Sequence, residues 1–409
     1  MPAAKTWSIS AEWIVPGDAA PVRHGVMRGR GSRIEAVGSP QAVGYAENHR
    51  ELGSVAVLPG LINAHTHLEL THLAGQLPRR RPMTQWLFAL RSRRLRGQDQ
   101  QQSVARGAAS ALAAGTTALA DVCHNNQAWR ALRGSPLRKI CFAEVTGIGP
   151  LTDQAIPKLR KELAGVRRSD KLRFGIAPHA PYTVAESVYR QAIALARKRD
   201  MIVATHLAET EAERQFTLRG SGKFFEFLAH MGLIDSSVAI HGCTPLAFAH
   251  RVGLFDGPCI LAHANFIDNE EFQILRTSGA SVVYCPRSND FFGRSGHRYA
   301  EMIAAGVNVC LGTDSLASNV SLEMLEEMRR VRLDGKVDSF TILRMATLNG
   351  ARAMRWDDEI GSLTPGKQAD WVSVEVPPDV TNPAEAILTS RGRVLETVIG
   401  AKVCYTLEE

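Results

Sequence analysis

The sequence predicts an α/β protein: a (β/α)8 TIM-type barrel carrying a small composite β domain assembled from both chain termini. Three observations predict it. From residue 55 onward a short apolar strand alternates repeatedly with a longer helical stretch, the pattern of parallel β/α units. Eight such strands can be counted, at Val57–Ala64, Thr116–Val122, Lys139–Val145, Leu172–Pro178, Met201–Thr205, Cys259–Ala262, Ser281–Cys285 and Val307–Gly312. Chemistry-bearing side chains gather at the C-terminal ends of these strands, the face on which such barrels carry their active sites. The 409 residues are enough for a barrel of about 250 residues or more and a smaller attachment.

Residues 1–54 hold short segments punctuated by Pro, Gly and Asp, among them Glu12–Val15, Gly25–Met27 and Arg33–Val37, which read as small antiparallel strands. The run from Val55 to Ile62 is apolar apart from Pro59-Gly60, as expected of a strand buried on both faces. Alternate strand residues share a face, so His65 and His67 at its end point the same way, as two imidazoles binding one cation require. Ser103–Ala114, closed by Gly115, and Ala185–Arg199 repeat apolar residues at helical spacing. Ser339–Trp356 reads as a helix after the eighth strand. The run Gly361–Val372 then returns to short strands that pair with the N-terminal ones. The expected domains are therefore 1–54 plus 361–409 for the composite β part, and 55–360 for the barrel.

Composition narrows the class. The net charge is +7 and the pI about 9.1, but the arginines are dispersed and aromatic residues few, so no nucleic-acid partner is expected. The densest basic stretch, Arg79-Arg80-Arg81 followed by Arg91, Arg93, Arg94 and Arg96, is interleaved with Trp86, Leu87, Phe88 and Leu90 and reads as an amphipathic helix with a solvated basic face. Met1–Pro21 lacks a sustained apolar run, and no segment reaches about 18 unbroken apolar residues. A cytoplasmic protein without a membrane partner is expected. Seven scattered cysteines without a Cys-x-x-Cys pair argue against a disulfide framework.

The strand ends carry the functional signal. Strand one ends in His65 and His67, strand four in His179, strand five in His206, strand six in His263 and strand eight in Asp314. Three imidazoles and a carboxylate suit a borderline divalent ion, and a coordination position left for water marks a catalytic rather than a structural site.

These residues lie in Pro59-Gly60-Leu61-Ile62-Asn63-Ala64-His65-Thr66-His67, Thr205-His206-Leu207-Ala208-Glu209-Thr210, Leu261-Ala262-His263 and Leu311-Gly312-Thr313-Asp314-Ser315. In these motifs, and over nearly its whole length, the chain resembles the amidohydrolase superfamily, in the branch of metal-dependent aminohydrolases and chlorohydrolases acting on purine, pyrimidine and triazine rings. The resemblance assigns His65, His67, His206 and Asp314 to the metal, Glu209 to the proton shuttle, and His263 to the water or reacting centre; Asp314 also orients the nucleophile. Strand four ends Ala177-Pro178-His179, without the carboxylated lysine by which dihydroorotase-like relatives bridge two metals. One divalent ion is expected, zinc first and Fe2+ second. His67-Leu68-Glu69 with Pro258-Cys259 imitates another zinc-deaminase signature, but Ala262 stands where the second cysteine belongs.

Several residues are candidates for choosing the substrate. His179 resembles the substrate-contacting histidine of ring deaminases, or is a structural strand-end histidine. Arg287, in Cys285-Pro286-Arg287-Ser288-Asn289, either holds an anionic or heteroaromatic group or bonds backbone. Glu144 at the end of strand three binds a sugar or ring, or is structural. Glu69, His72 and Trp86 lie in a first loop, Glu69 to about Gly97, long enough to close over the mouth. The motif combination is most similar to aminodeoxyfutalosine deaminases. The expected function is thus hydrolytic deamination of an adenine-type ring, most closely aminodeoxyfutalosine or a related 6-aminopurine nucleoside, by metal-activated water with Glu209 moving the proton. Hydrolytic removal of chloride or amine from a triazine is the alternative within enzymes, and a catalytically silent barrel scaffold the alternative outside them. The expected partner is a small heteroaromatic or nucleoside substrate, with a homodimer as the assembly to test.

Overall fold

The computed structural model describes residues 5–124, 127–235 and 241–408. Among them the strands form two eight-stranded sheets. In the first, Leu61–Thr66, Thr116–His124, Arg138–Val145, Leu172–Pro178, Val203–Leu207, Cys259–His263, Ser281–Tyr284 and Asn308–Leu311 follow one another in sequence order, each parallel to the next. Strand eight meets strand one through a parallel bridge between Thr66 and Asp314, with the Asp314 N–H donating to His65 O at 3.1 Å. The sheet is the expected barrel.

Apolar side chains fill it: Ile62, Ala64, Ala118, Ala120, Phe142, Ile260, Val283 and Cys310 pack together with Met354, Trp356 and Ile360 from the chain beyond strand eight. That segment is tied to the strand starts, with the Ile62 N–H donating to Ala346 O (2.8 Å) and Asn308 Nδ2 to Asn349 O (3.0 Å). The expected single helix Ser339–Trp356 is two, Ser339–Met345 and Leu348–Ala353, because Thr347 leaves helical geometry at φ −133° and ψ −93°.

The second sheet joins the two ends of the chain. Its order runs Lys402–Thr406, Val394–Ile399, Trp371–Glu375, Val55–Pro59, Thr6–Ile14, Val22–Arg30 and Arg33–Gly38. The expected first barrel strand Val57–Ala64 is therefore two strands in two sheets. Val55–Pro59 pairs with Trp371–Glu375 and Thr6–Ile14, and only Leu61–Thr66 enters the barrel. The crossing lies at Gly60, five residues beyond the expected boundary at 55. A Cβ there would stand 2.1 Å from Thr117 Oγ1, so only glycine lets the strand pass so close to its neighbour. Residues 361–370 run as turns, and the return to strand begins at Trp371.

A buried ion pair ties the two sheets together. Arg138, at the start of barrel strand three, donates Nε to Asp370 Oδ2 at 2.6 Å and Nη2 to Oδ1 at 3.1 Å, and Asp370 also accepts the Gly400 N–H at 2.7 Å. The two side chains are 6% and 2% exposed. Removing one partner of a buried pair strands the other charge, so Asp370→Ala should cost about 3–5 kcal/mol of unfolding free energy. Urea unfolding measures it; a loss below about 1 kcal/mol would mean that apolar packing alone holds the sheets together.

Candidate metal centre and active site

The three histidines converge. One ligand nitrogen from each of His65, His67 and His206 lies within 4.8 Å of the others, and all three residues are buried. His67 Nδ1 donates to Val122 O (2.9 Å) and His206 Nδ1 to His179 O (2.9 Å). A carbonyl only accepts, so the proton sits on Nδ1 and each Nε2 presents a lone pair inward. These two Nε2 atoms are 3.2 Å apart. Two nitrogens bound at about 2.0–2.1 Å to one tetrahedral zinc stand about 3.3 Å apart, so the donor set fits a divalent ion. His65 Nε2 is buried without a hydrogen-bond partner, as a ligand nitrogen would be. Burial, with the neighbouring imidazoles, holds His65 well below its usual range, and burial followed by His206 pushes His67 down to about 4.

Asp314 supplies the acid. Its Oδ2 accepts hydroxyls from Ser288 and Ser318, each at 2.7 Å, leaving Oδ1 at 3.9 Å from His65 Nε2 and 3.8 Å from His67 Nε2. The preceding Gly312 is packed against His65; a Cβ there would come within 2.8 Å of His65 O.

Glu209 and His263 adjoin the cluster: the His263 ring lies 5.5 Å from those of His65 and His206, with His263 Nε2 at 3.9 Å from Glu209 Oε1. The same Oε1 accepts from Arg294 Nη1 at 2.9 Å, and the Arg294 guanidinium lies 4.3 Å from the centre of the Phe292 ring. Burial opposes the charge on Glu209, but His263 and then Arg294 outweigh it and bring the carboxyl down to about 2. The Glu209 backbone is held as firmly: Glu213, fully buried, accepts the Ala208 N–H on Oε1 (2.9 Å) and the Glu209 N–H on Oε2 (2.8 Å).

A narrow cavity of about 40 Å³ opens from these groups, lined also by His179, Glu144, Arg94, Tyr182, Trp86 and Phe292, with Leu70, Met83, Leu87 and Leu90 as its apolar wall. His179, pushed down to about 3 mainly by burial, bonds Thr183 Oγ1 through Nδ1 at 2.7 Å. Glu144 bonds His124 Nδ1 at 3.0 Å and lies 4.0 Å from Arg94. Burial works against its charge, yet His124, His179 and Arg94 hold its carboxyl well below the usual range. Trp86 lines the wall while its Nε1 donates to Ala317 O at 3.0 Å.

Three of the expected substrate residues are turned elsewhere. Arg287 donates Nη1 to Ser321 Oγ (2.9 Å) and lies 3.7 Å from the buried Glu327, outside the cavity wall. Glu69 is buried against Gln100, Arg94 (3.4 Å) and the His124 N–H (3.3 Å). His72 ties the first loop together, through Nδ1 to Glu69 O (3.0 Å) and Nε2 to Arg93 O (2.9 Å). Sequence reasoning missed Ser288, Ser318, Arg94, His124, Arg294 and Glu213. The Ser/Thr-x-x-Glu spacing of Thr210 and Glu213 was a signal for the last; nothing in the sequence marked Arg294.

A parallel barrel with these donors at its mouth has the form of a metal-dependent hydrolase. The chain belongs to the amidohydrolase family, which it matches over residues 56–404. It is 30% identical to a 5-methylthioadenosine/S-adenosylhomocysteine deaminase of Moorella thermoacetica, over 94% of this chain and 90% of that protein. Among solved structures, an adenosine deaminase from Xanthomonas campestris with bound zinc superposes with a TM-score of 0.84 at 26% identity, covering 98% of this chain and 93% of that one. An aminofutalosine deaminase from Helicobacter pylori, in complex with methylthio-coformycin, shares the fold with a TM-score of 0.85 at 20% identity, covering 98% and 100%.

The purified protein should hold one divalent ion per chain, and Asp314→Asn should lower the metal retained after dialysis; elemental analysis finding two equivalents, or full retention in the variant, would contradict this. Acid should act through the same ligands. His67 protonates below about pH 4, and a bound cation lowers that further, so metal release and loss of activity should coincide below about pH 4 and reverse when zinc is returned at neutral pH.

Proposed function

We propose that the protein is a hydrolytic deaminase of 6-aminopurine nucleosides. The observation that carries this reading is that the Glu209 carboxylate and the His263 imidazole, 3.9 Å apart, line one cavity together with His67, His206 and Asp314. His65, His67, His206 and Asp314 would hold a divalent ion, which when bound would supply a water with its pKa lowered to about 7. Glu209 accepts the water's proton and delivers it to the ring nitrogen N1 as the oxygen adds to C6. Glu209 then takes the second proton from the hydroxyl now on C6 and passes it to the amino group as the C6–N6 bond breaks, leaving a 6-oxopurine and ammonia. His263 and Asp314 Oδ1 hold the attacking oxygen in line. His179, kept neutral by burial, donates or accepts a hydrogen bond on the base, and Glu144 accepts from sugar hydroxyls.

The finer reading is aminodeoxyfutalosine, supported by the sequence motifs of strands four, seven and eight. Arg287 faces away, so a carboxylate on the sugar substituent would meet Arg94, which lines the cavity. A second reading, a neutral 5′-substituent such as a methylthio group, is favoured by the wall of Leu70, Met83, Leu87 and Leu90 and by Glu69 and Glu144, which already offset the charge of Arg94.

Glu209→Gln should keep the fold and the metal while lowering turnover by about 10²-fold to 10⁴-fold, the range for a lost general acid/base; near-normal turnover with metal intact would assign the shuttle elsewhere. Ammonia release across aminodeoxyfutalosine, 5′-methylthioadenosine, adenosine, adenine and an aminotriazine separates the substrate readings. The highest kcat/KM should fall on an adenine nucleoside with a modified 5′ position, and Arg94→Met should penalise the carboxylate-bearing substrate selectively. No ammonia from any adenine nucleoside would end the deaminase reading.

A further inference from the structure

Glu213 is a buried carboxylate that the proposed chemistry does not use. It stands third in the helix Glu211–Arg219, whose N-cap Thr210 accepts the Glu213 N–H at 3.0 Å. In a capping box the side chain of such a residue returns to the N–H of its own N-cap. The helix Asn269–Thr277 of this protein does so: Glu271 accepts from the Asp268 N–H at 3.3 Å. Glu213 instead reaches past its N-cap and grips the two preceding N–H groups, of Ala208 and Glu209, one on each oxygen.

Those two residues form the bend that leads from His206 to Glu209. Ala208 sits at φ +51°, a left-handed conformation that is strained for a residue with a Cβ. The far side of the bend is held by Asn265 Nδ2 donating to Glu209 O at 3.1 Å, and Asn265 is itself held by Asn289 Nδ2 at 3.0 Å. We propose that Glu213 is a positioning residue for the reaction: its carboxylate holds the strained bend that aims Glu209 at the metal cluster. The inference rests on Glu209 being the proton shuttle. Both Glu213 oxygens must accept, so an amide in its place would turn an NH2 group toward one backbone N–H and leave that donor unpaired.

Glu213→Gln should therefore retain metal and keep KM within about threefold while lowering kcat about 10-fold to 100-fold, the scale on which a misplaced catalytic group acts. Glu213→Asp, which keeps the charge but falls one methylene short of the two N–H groups, should do the same, and serves if the amide variant folds poorly. Ala208→Gly removes the cost of the left-handed bend. Alone it should leave kcat nearly unchanged, and combined with Glu213→Gln it should restore much of the lost rate. Wild-type kcat in both Glu213 variants, a loss that follows metal release, or a loss that Ala208→Gly does not relieve would overturn the proposal. Glu209→Gln measured alongside separates the two ideas: an active Glu209 variant defeats the shuttle reading, whereas an inactive one beside fully active Glu213 variants defeats only the positioning role.

Discussion

Three imidazoles converging within one buried mouth, each with a ring nitrogen turned toward the others, are the constraint on which the site depends. Left to themselves they repel, and the fold must hold them together. It does so by bracing His67, His206 and Asp314 on neighbouring strands. His67 of strand one leans on the Val122 carbonyl of strand two, and His206 of strand five on the His179 carbonyl of strand four. Asp314 beyond strand eight takes its backbone bond from strand one and a side-chain bond from Ser288 beyond strand seven. The donor geometry is thus a consequence of barrel register: a one-residue slip between adjacent strands would turn a bracing carbonyl away from its histidine.

The same mouth shows how the backbone carries the load. Ala208, His263, Ala264 and Asp314 all have positive φ without being glycine, and all lie at or just beyond the end of a barrel strand. A strand leaving a barrel would carry its next side chains alternately in and out; a left-handed step breaks that alternation and points a polar group inward at a place of the fold's choosing. Such steps persist only where surrounding bonds over-determine them. At Ala208 a buried carboxylate provides such bonds, Glu213 taking two N–H groups just past His206; Asp121 likewise takes the Leu68 N–H at 2.8 Å just past His67, where the backbone is not left-handed. Burial works against the charge on both carboxyls, and the backbone N–H groups they accept work in its favour.

Local pattern explains why so much was legible in the sequence. Alternating strands and helices, and the placement of His65, His67, His206, His263 and Asp314 at strand ends, depend on periodicity within a few residues, which a single sequence records. What escaped depends on direction or distance. Arg287 and Ser288 are neighbours in the helix Pro286–Phe292, and a helix turns about 100° per residue. Ser288 and Asn289 therefore face the site, while Arg287 turns to Ser321 and Asp290 to Arg330. The Arg294–Glu209 pair spans 85 residues and the Arg138–Asp370 pair 232, and no local rule couples them. The Pro-Gly step at residue 60 was visible, but its meaning, passage from one sheet to another, lay in a close approach to Thr117.

This division between local and long-range determinants follows the division of labour in the cavity. The side facing the reaction is built from strand ends, each fixed by named hydrogen bonds, and it carried nearly all of the readable motif. The opposite side comes from the chain after strand one, chiefly the helix Met83–Arg93, whose Met83, Trp86 and Leu90 are buried mainly by apolar contacts and one indole hydrogen bond to Ala317. Apolar contacts are non-directional and tolerate exchange among residues of similar volume. A loop held in that way can change the substituent it accepts without disturbing the donors beneath it, so the chemistry resides in the barrel and the choice of substrate in the loop.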